Sequence, residues 1–368
     1  MKTAAAPAQK KPAAGVASTM SCIKKLKNEP GLDWVMDVPV PNIGPTDCLI
    51  EVTHAGICGT DRHIYEWDAW ASSRVPVGVT CGHEFVGRVI AVGDACRHRK
   101  VGDRVSAEGH IGCGECPACR QGEMHICYKV DILGIDVDGC FAQYVAVPEN
   151  NCWPVPDAIP DKVAAIFDPL GNAMHTVMAA GVSGQNVLIT GAGIIGLMAV
   201  SIAKHAGAGR IYVTDVDPRR LKIAKDLGAD EGYSGSDSEW VQKARRATQG
   251  HGVDVLLEMS GNAKAISDGF DALRNGGTAA LLGLPAKPVT LDLPNQVIFK
   301  GAKVLGINGR RMFETWYQVE RFLLAGRIDL DQILTHVVPF DDFHRGFKLM
   351  QSGEGIKIVL DIGGSKKR

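Results

Sequence analysis

The second half of the chain alternates short apolar runs with amphipathic stretches. The apolar runs predict β-strands at 186–190, 210–214, 253–258, 278–282 and 303–307. Helical spacing of apolar residues predicts α-helices between them, for example at 218–227, with Pro218 in the first turn and Gly228 after the end, and at 238–247. This alternation indicates βαβ units and an α/β fold with a parallel sheet.

The first half of the chain has shorter runs. CLIEVTH, EFVGRVIAV and FAQYVAV are separated by Gly and Pro, which is typical of a small β-barrel. After residue 315, two helix-like stretches, an apolar run and a terminal strand suggest a return to this first domain. The pattern alone leaves such a discontinuous domain open.

Two segments could be mistaken for targeting or membrane elements. Residues 1–20 are rich in Ala and Pro and are interpreted as a mobile tail; a transit peptide is the alternative, but it would be rich in Arg, which this segment lacks. Residues 169–203 contain no Asp, Glu, Lys or Arg, which on length alone would suffice to cross a bilayer. Glycines and polar residues interrupt the run, so a buried strand and helix are predicted, with no membrane association.

Composition narrows the classes of function. The hydrophobic fraction of 45% and the net charge of −1 indicate a globular chain without the basic surface that nucleic acid requires, so no nucleic-acid partner is expected. Glycine supplies 43 of 368 residues, well above the average of about 7%. All eleven cysteines lie between Cys22 and Cys152. An odd number of clustered cysteines favours thiols and metal ligands in a reducing compartment, here the cytoplasm.

A glycine-rich turn follows the strand at 186–190. Gly191, Gly193 and Gly196 form G-x-G-x-x-G between a predicted strand and an apolar helix, the context in which the motif binds the pyrophosphate of a dinucleotide. Asp215 ends the next strand, where a carboxylate bonds the adenine ribose and disfavours a 2′-phosphate, so NAD is predicted. Arg219 and Arg220 follow and leave both a flanking role and an NADP-binding role open.

Two groups of residues suggest metal sites. Cys113, Cys116, Cys119 and Cys127 lie in one short loop, which predicts a closed structural zinc site; an iron–sulfur site is the alternative, but its ferredoxin spacing would place the fourth cysteine sooner. Cys58 in GICGTD and His83–Glu84 in CGHEF offer three ligands and an open position for a catalytic zinc. Spacing alone leaves Cys58 as a buried thiol and His83 as a core histidine equally open. Cys81 is interpreted as structural.

Taken together, these motifs resemble the zinc-dependent medium-chain alcohol dehydrogenases over residues 22–363. Three stretches, ICGTDRHIYEWDAW (57–70), IFDPLGNAMHT (166–176) and GRRMFETWY (309–317), resemble the branch that oxidises L-threonine. The resemblance implies a doubly wound Rossmann NAD-binding domain (171–315) inserted into a GroES-like β-barrel zinc-binding catalytic domain (21–170 and 316–368). It also implies a homotetramer with one catalytic and one structural Zn²⁺ per subunit.

Individual roles come from the same resemblance. Cys58, His83 and Glu84 would hold the catalytic zinc, Asp168 would approach the metal or serve the proton path, and Thr60 and His63 would relay the proton. Cofactor contacts would fall on the glycine turn, Ile195, Asp215, Arg220, Leu282, Gly283, Leu284, Ile307 and Asn308; relatives often carry an aromatic residue in place of Asn308. His110 would shape substrate choice, although a plain loop histidine is equally open.

The substrate implied by the resemblance carries a carboxylate and an ammonium. Arg310 or Arg311 could bind the carboxylate, and Glu66, Asp68 or Glu314 could bind the ammonium. A polyol or vicinal-diol dehydrogenase is the alternative enzyme, because its zinc and nucleotide residues would look nearly the same. A non-catalytic relative that binds nucleotide or zinc is the alternative outside enzymes.

Overall fold

The computed structural model describes residues 17–364 of the chain. The strands are β1 (Thr19–Lys24), β2 (Asp33–Pro39), β3 (Asp47–Ile57), β4 (Glu84–Val92), β5 (Arg104–Ala107), β6 (His110–Ile111), β7 (Asp131–Ile132), β8 (Tyr144–Pro148), β9 (Cys152–Pro154), β10 (Asn186–Thr190), β11 (Arg210–Asp215), β12 (Glu231–Ser234), β13 (Val253–Glu258), β14 (Leu273–Leu281), β15 (Lys303–Gly306), β16 (Leu334–Pro339) and β17 (Lys357–Asp361). The α-helices are α1 (Gly59–Glu66), α2 (Ala69–Arg74), α3 (Pro117–Arg120), α4 (Asp161–Ala164), α5 (Phe167–Ala180), α6 (Ile194–His205), α7 (Pro218–Asp226), α8 (Trp240–Ala247), α9 (Ala263–Ala272), α10 (Glu314–Leu324) and α11 (Phe343–Gln351).

The chain divides into two compact units. The first comprises the residues up to Asp168 together with those from Leu334, and the second comprises Pro169–Ile333. The chain therefore returns to the first unit after residue 333 rather than after residue 315. Helix α10 buries Trp316 and Val319, and the backbone after it accepts a 3.4 Å hydrogen bond from Ser201 of α6, which keeps this segment in the second unit.

The first unit is built on a seven-stranded sheet. Its order is β16-β17-β3-β4-β5-β9, with β8 also paired to β3. The long strand β3 pairs antiparallel with β4, β8 and β17, and buried side chains such as Val52, Phe85 and Ile358 form the core around it. Because Gly56 pairs with Glu84 and Ile57 with Ile358, the end of β3 and the beginnings of β4 and β17 lie at one edge.

The second unit is built on a six-stranded parallel sheet. Its order is β12-β11-β10-β13-β14-β15, and every neighbouring pair is parallel. The five strands predicted from the sequence are all present, although β14 begins earlier, at Leu273. Strand β12 was not predicted, because its four residues EGYS include glycine and serine and only one apolar side chain.

The remaining predictions concern helices and ends. The predicted helices at 218–227 and 238–247 correspond to α7 and α8. The segment without charged residues, 169–203, contributes to α5 and contains β10 and most of α6. Within residues 17–364, no helix is long and apolar enough to span a membrane. Residues 1–16 of the predicted tail lie outside the described residues. Thr19 and Met20 belong to β1, so the predicted end of the tail at residue 20 is too late.

Candidate functional site

Cys58, His83 and Glu84 meet at the edge of the first unit's sheet. Cys58 follows β3 and caps helix α1, and Glu84 is the first residue of β4. One ligand atom from each of the three residues lies within 4.8 Å of the other two. Segments that are 25 residues apart in the chain are brought together because β3 and β4 pair at this edge.

The turn before Glu84 separates Cys81 from this cluster. Residues two apart in an undistorted strand share one face, which would have placed Cys81 beside His83. Gly82 has φ +88°, and an added Cβ there would collide with the ring of Phe141, so only glycine fits this turn. Cys81 is buried and is not part of the cluster, as expected for a structural thiol.

Two buried charges surround the three candidate ligands. Asp61 accepts a 2.9 Å hydrogen bond from the Cys58 amide, and its Oδ1 lies 3.9 Å from His83 Nδ1. The Lys357 ammonium, in β17, lies 2.5 Å from Glu84 Oε2 and donates to the Ile57 carbonyl at 2.8 Å. Both side chains are almost completely inaccessible. Lys357 is placed to orient Glu84, as groups around metal ligands commonly do, and Asp61 supplies negative charge near His83.

The electrostatics of the cluster suit a bound cation. Burial disfavours a charged imidazole, but the negative charges of Asp61 and Cys58 raise the pKa of His83 to about 10. Within the described residues, Glu84 Oε1 is buried with no hydrogen-bond partner. Sulfur, nitrogen and carboxylate ligands are those that zinc takes in catalytic sites, with a fourth position open. The donor set, the negative potential and the buried carboxylate oxygen therefore fit a zinc ion.

The other predicted catalytic residues lie around this cluster in different ways. Thr60 Oγ1 is 3.9 Å from Cys58 Sγ, whereas His63 is in the exposed last turn of α1, with Nδ1 2.6 Å from Asp68 Oδ2. Asp168, in the first turn of α5, is buried and contributes to the negative potential at His83.

His110 lies in a strand next to the cluster. It belongs to β6. A Cβ added to the preceding residue, Gly109, would lie 3.5 Å from His83 Cβ and 3.8 Å from Asp168 Oδ2. Its backbone is held by Glu108, which accepts from the His110 amide at 3.0 Å, and by Asn151, which donates to its carbonyl at 2.8 Å. This position is compatible with a role in substrate choice, which stays a prediction.

The four remaining candidate ligands form a separate lobe of the first unit. The sulfurs of Cys113, Cys116, Cys119 and Cys127 lie within 4.8 Å of one another. Cys116 caps the short helix α3, in which Pro117 occupies the first turn, and its sulfur accepts from the Cys119 amide at 3.5 Å. Cys127 Sγ accepts from the amides of Cys113 and Lys129, both at 3.3 Å.

The backbone hydrogen bonds to Cys116 favour its thiolate form. The amides of Cys119 and Tyr128 lower the pKa of Cys116 to about 6. A thiolate is the form that binds zinc, and four thiolates close a tetrahedral site. The lobe therefore fits a structural zinc with all four positions filled by protein.

The glycine turn of the second unit has the geometry that the motif requires. Gly191 has φ +90° and packs on Ser260, whose Cβ lies 2.9 Å from the position of an added Cβ. Gly193 caps α6 and faces open space, which leaves the backbone accessible to a phosphate. An added Cβ on Gly196 would collide with the Gly191 carbonyl, so this position allows only glycine. Ile195 is half-buried in the first turn of α6.

A cavity of about 340 Å³ opens beside this turn within the second unit. It is lined by Gly191, Thr214, Asp215, Val216, Gly235, Trp240, Ser260, Asn262, Lys264, Ala265 and Asp268. Asp215 accepts from the amides of Ala192 at 2.7 Å and Asp217 at 2.8 Å, so it also fixes the glycine turn. Arg219 pairs with Asp217 at 2.8 Å, and Arg220 lies 3.9 Å from the same carboxylate.

The other predicted cofactor residues lie at the carboxyl ends of neighbouring strands. The amides of Leu282 and Gly283 both donate to the Glu258 carbonyl at 3.0 Å, and the Ile307 amide donates to Leu281 at 2.9 Å. Leu284 is 92% exposed, and Asn308 is also exposed. These residues therefore share the strand-end edge on which the glycine turn lies, which is where α/β sheets bind ligands.

Comparison with known proteins decides the family. Residues 44–157 match the alcohol dehydrogenase GroES-like domain, and residues 195–325 match the zinc-binding dehydrogenase family. The chain is 44% identical to L-threonine 3-dehydrogenase of Proteus mirabilis (strain HI4320), over 93% of this chain and 99% of that protein. It is 47% identical to L-threonine 3-dehydrogenase of Symbiobacterium thermophilum, over 94% and 98% of the two chains. This chain belongs to the L-threonine 3-dehydrogenase family of zinc-binding dehydrogenases.

Solved structures agree with this family and confirm the predicted fold class. Alcohol dehydrogenase TADH from Thermus sp. ATN1 superposes with a TM-score of 0.84 at 28% identity, over 93% of this chain and 99% of that one. The 2R,3R-butanediol dehydrogenase from Bacillus subtilis gives a TM-score of 0.84 at 26% identity, with the same coverage. The predicted combination of a GroES-like domain and a zinc-binding dehydrogenase domain in the L-threonine 3-dehydrogenase family is therefore correct.

Several candidate residues were not found from the sequence. Asp61 and Lys357 surround the metal ligands, and Ser260, Asn262 and Lys264 line the nucleotide cavity. A lone lysine in the apolar terminal strand was a usable signal for Lys357, since a buried charge needs a partner. For the segment from Ser260, the signal was its place just after β13, at the ligand-binding edge of a parallel sheet.

The charged residues predicted to meet the substrate have other partners. Glu66 accepts from Arg62 at 2.7 Å, Glu314 lies 3.3 Å from Arg311, and Asp68 holds His63. Arg310 is buried against Gly171 and Asn172. Their role toward the substrate therefore stays a prediction.

Proposed function

We propose that this protein oxidises L-threonine to L-2-amino-3-ketobutyrate with NAD, using one catalytic and one structural zinc ion. The observation that carries the proposal is identity of 44% and 47% with proteins named L-threonine 3-dehydrogenase over nearly the whole chain. The three-ligand cluster and the nucleotide cavity supply the two sites that such a reaction needs.

The first unit provides the metal chemistry in this proposal. Cys58, His83 and Glu84 hold the catalytic zinc, which supplies Lewis acidity that lowers the pKa of an alcohol and stabilises charge on its oxygen. Lys357 holds Glu84 in place, and Asp61 and Asp168 add to the negative potential at His83. The four-cysteine lobe holds the structural zinc.

The oxidation removes a hydride from the β-carbon of threonine and a proton from its hydroxyl group. Bound NAD would supply the hydride acceptor, so the protein's own residues have to conduct the proton. Thr60, next to Cys58, passes it on, and His63 exchanges it with solvent from an exposed position.

The second unit binds the dinucleotide. The glycine turn and the start of α6 receive the pyrophosphate, and Asp215 receives the adenine ribose in the adjacent cavity. Asp215 in the lining of this cavity supports NAD over NADP, because a carboxylate there repels a 2′-phosphate. Replacement of Asp215 by Ala should raise the KM for NAD and narrow the preference for NAD over NADP. An unchanged preference would remove Asp215 from this role.

The substrate is tested by NADH formation with L-threonine, sorbitol and 2,3-butanediol side by side. Preference for L-threonine is expected, and chelation should abolish turnover. Oxidation of a vicinal diol is the competing candidate, because the fold is shared with a 2R,3R-butanediol dehydrogenase. A clear preference for either diol would establish that competitor instead.

Two further proposals concern assembly and location. We propose a homotetramer that uses the free edge strand β15, since Val304 on this strand and Ile298 and Phe299 just before it are exposed apolar side chains. Sedimentation of the wild type and of Phe299→Asp tests this proposal, and a monomeric wild type would refute it.

The cysteine ligands and the other free thiols support a reducing location, the cytoplasm.

A further inference from the structure

His63 and Asp68 form a close imidazole–carboxylate pair at the end of helix α1. His63 Nδ1 lies 2.6 Å from Asp68 Oδ2. The His63 side chain is 57% exposed, so its other ring nitrogen can reach solvent. The Trp70 and imidazole rings form a T-shaped contact, with the ring centroids 6.0 Å apart. The proposed relay histidine is thus held on two sides.

The turn that carries Asp68 is itself fixed. Trp67 adopts the left-handed conformation, with φ +54°, and reverses the chain after α1. Its Nε1 donates to Asn28 at 2.7 Å, and the buried Lys25 ammonium lies 4.1 Å from the centre of its ring. Asp68 Oδ1 accepts from the Ala71 amide at 2.9 Å and caps helix α2. One carboxylate oxygen is therefore committed to the helix, and the other faces the imidazole.

This arrangement determines which nitrogen of His63 carries the hydrogen. The Ala71 amide and the contact with His63 lower the pKa of Asp68, so its carboxylate is ionised at neutral pH. An ionised carboxylate only accepts hydrogen bonds. In the neutral ring the hydrogen must then be on Nδ1, which leaves the lone pair on Nε2.

We propose that Asp68 is a positioning residue that holds His63 as the Nδ1–H tautomer, so that Nε2 is the atom that takes up the substrate proton. The inference rests on the proposed dehydrogenase function, in which His63 is the last protein group of the relay. When Nε2 takes the proton, the imidazolium is stabilised by Asp68 until the proton passes to solvent. Asp68 thus acts through His63 and needs no contact with the substrate.

The variant Asp68→Asn gives the sharpest test. Asparagine caps helices as well as aspartate does, so its oxygen keeps the bond to Ala71. Its NH₂ group then faces His63 Nδ1 and donates to it, which forces the hydrogen onto Nε2. The ¹⁵N NMR spectrum of the His63 ring should show the reversed tautomer. The kcat for L-threonine should fall at least about 10-fold, with the KM for NAD changed less than about 2-fold.

Two controls separate positioning from a structural role. Asp68→Ser keeps a cap but is too short to reach His63, so a mixture of tautomers and an intermediate kcat are expected. Asp292→Asn changes a comparable cap, in which Asp292 Oδ1 accepts from the Asn295 amide at 3.2 Å in the second unit, and should alter neither the ring spectrum nor kcat.

The possible results are distinct. An unchanged His63 tautomer in Asp68→Asn would overturn the inference, as would a fall in kcat that merely follows a lower melting temperature. The ring spectrum is recorded without substrate, so it decides the tautomer even if the wild type prefers a diol. Absence of L-threonine oxidation by the wild type would instead reject the proposed function.

Discussion

The two candidate zinc sites of the first unit are built in opposite ways. The four-cysteine lobe takes all its ligands from residues 113–127, and backbone amides stabilise its sulfurs. The Cys58, His83 and Glu84 site collects its ligands from two strand ends, and buried side chains, Asp61 and Lys357, surround them. A closed local site suits structure, whereas a site held by buried charges can keep one position open for chemistry.

The largest expected effect is on turnover, from the open site. Cys58→Ala removes one of three metal ligands, so NADH formation from L-threonine should fall at least about 10³-fold, because charge on the substrate oxygen is no longer stabilised. The melting temperature should change little. Steady-state kinetics and calorimetry measure both quantities, with Cys96→Ala, a thiol outside both sites, as the control. Retained turnover in Cys58→Ala would remove the catalytic role.

A smaller effect is expected from the buried cation of the same site. Lys357→Met leaves the Glu84 carboxylate uncompensated and should lower the free energy of unfolding of the metal-free protein by about 3–5 kcal/mol. The loss should be smaller with zinc bound, because a cation then remains beside Glu84. Urea unfolding with and without chelator tests this, and exposed Lys348→Met is the control. Equal losses in both variants would contradict the ion pair's role.

Loss of a ligand from the four-cysteine lobe should lower the local stability of that lobe. Cys116→Ser removes a ligand and the cap of helix α3, so proteolysis within residues 113–127 should become at least about ten times faster. Limited digestion followed by mass spectrometry locates the cleavage. Cys96→Ser should digest at the wild-type rate. Equal digestion of Cys116→Ser and wild type would show that the lobe does not depend on its metal.

The smallest effect comes from an acid outside both sites. Contacts with His54 and Arg104 hold the pKa of Asp161 well below its usual value. Because the folded pKa lies below the unfolded one of about 3.9, this stabilisation is present above about pH 4 and is lost as the pH falls through the folded pKa.

Asp161→Asn should therefore cost about 1 kcal/mol at pH 7, and the difference from wild type should shrink in acid. Thermal unfolding from about pH 7 down to about pH 2 measures it, with exposed Asp157→Asn as control. A difference that stays constant over this range would contradict the assignment. A change in the zinc content of Asp161→Asn would show that the metal sites depend on the ion pairs that Asp161 makes.

The same contrast explains which features could be predicted from the sequence. The four-cysteine motif and the glycine turn are local, so their residue types and spacing indicated the chemistry directly. Cys58 and His83 could be paired only through resemblance to a family, because no spacing rule connects two strand ends. Asp61 and Lys357 could not be predicted, because the register of the sheet determines which residues lie next to them. Strand β12 could not be predicted because it is short and polar.

The most direct test of the account is the zinc content of the purified protein and of Cys58→Ala, measured by mass spectrometry of the metal. Two separate sites predict about two zinc ions per chain in the wild type and about one in the variant. The remaining zinc should be retained by the four-cysteine lobe. An unchanged zinc content in Cys58→Ala, or about one zinc per chain in the wild type, would contradict the division of the first unit into an open and a closed metal site.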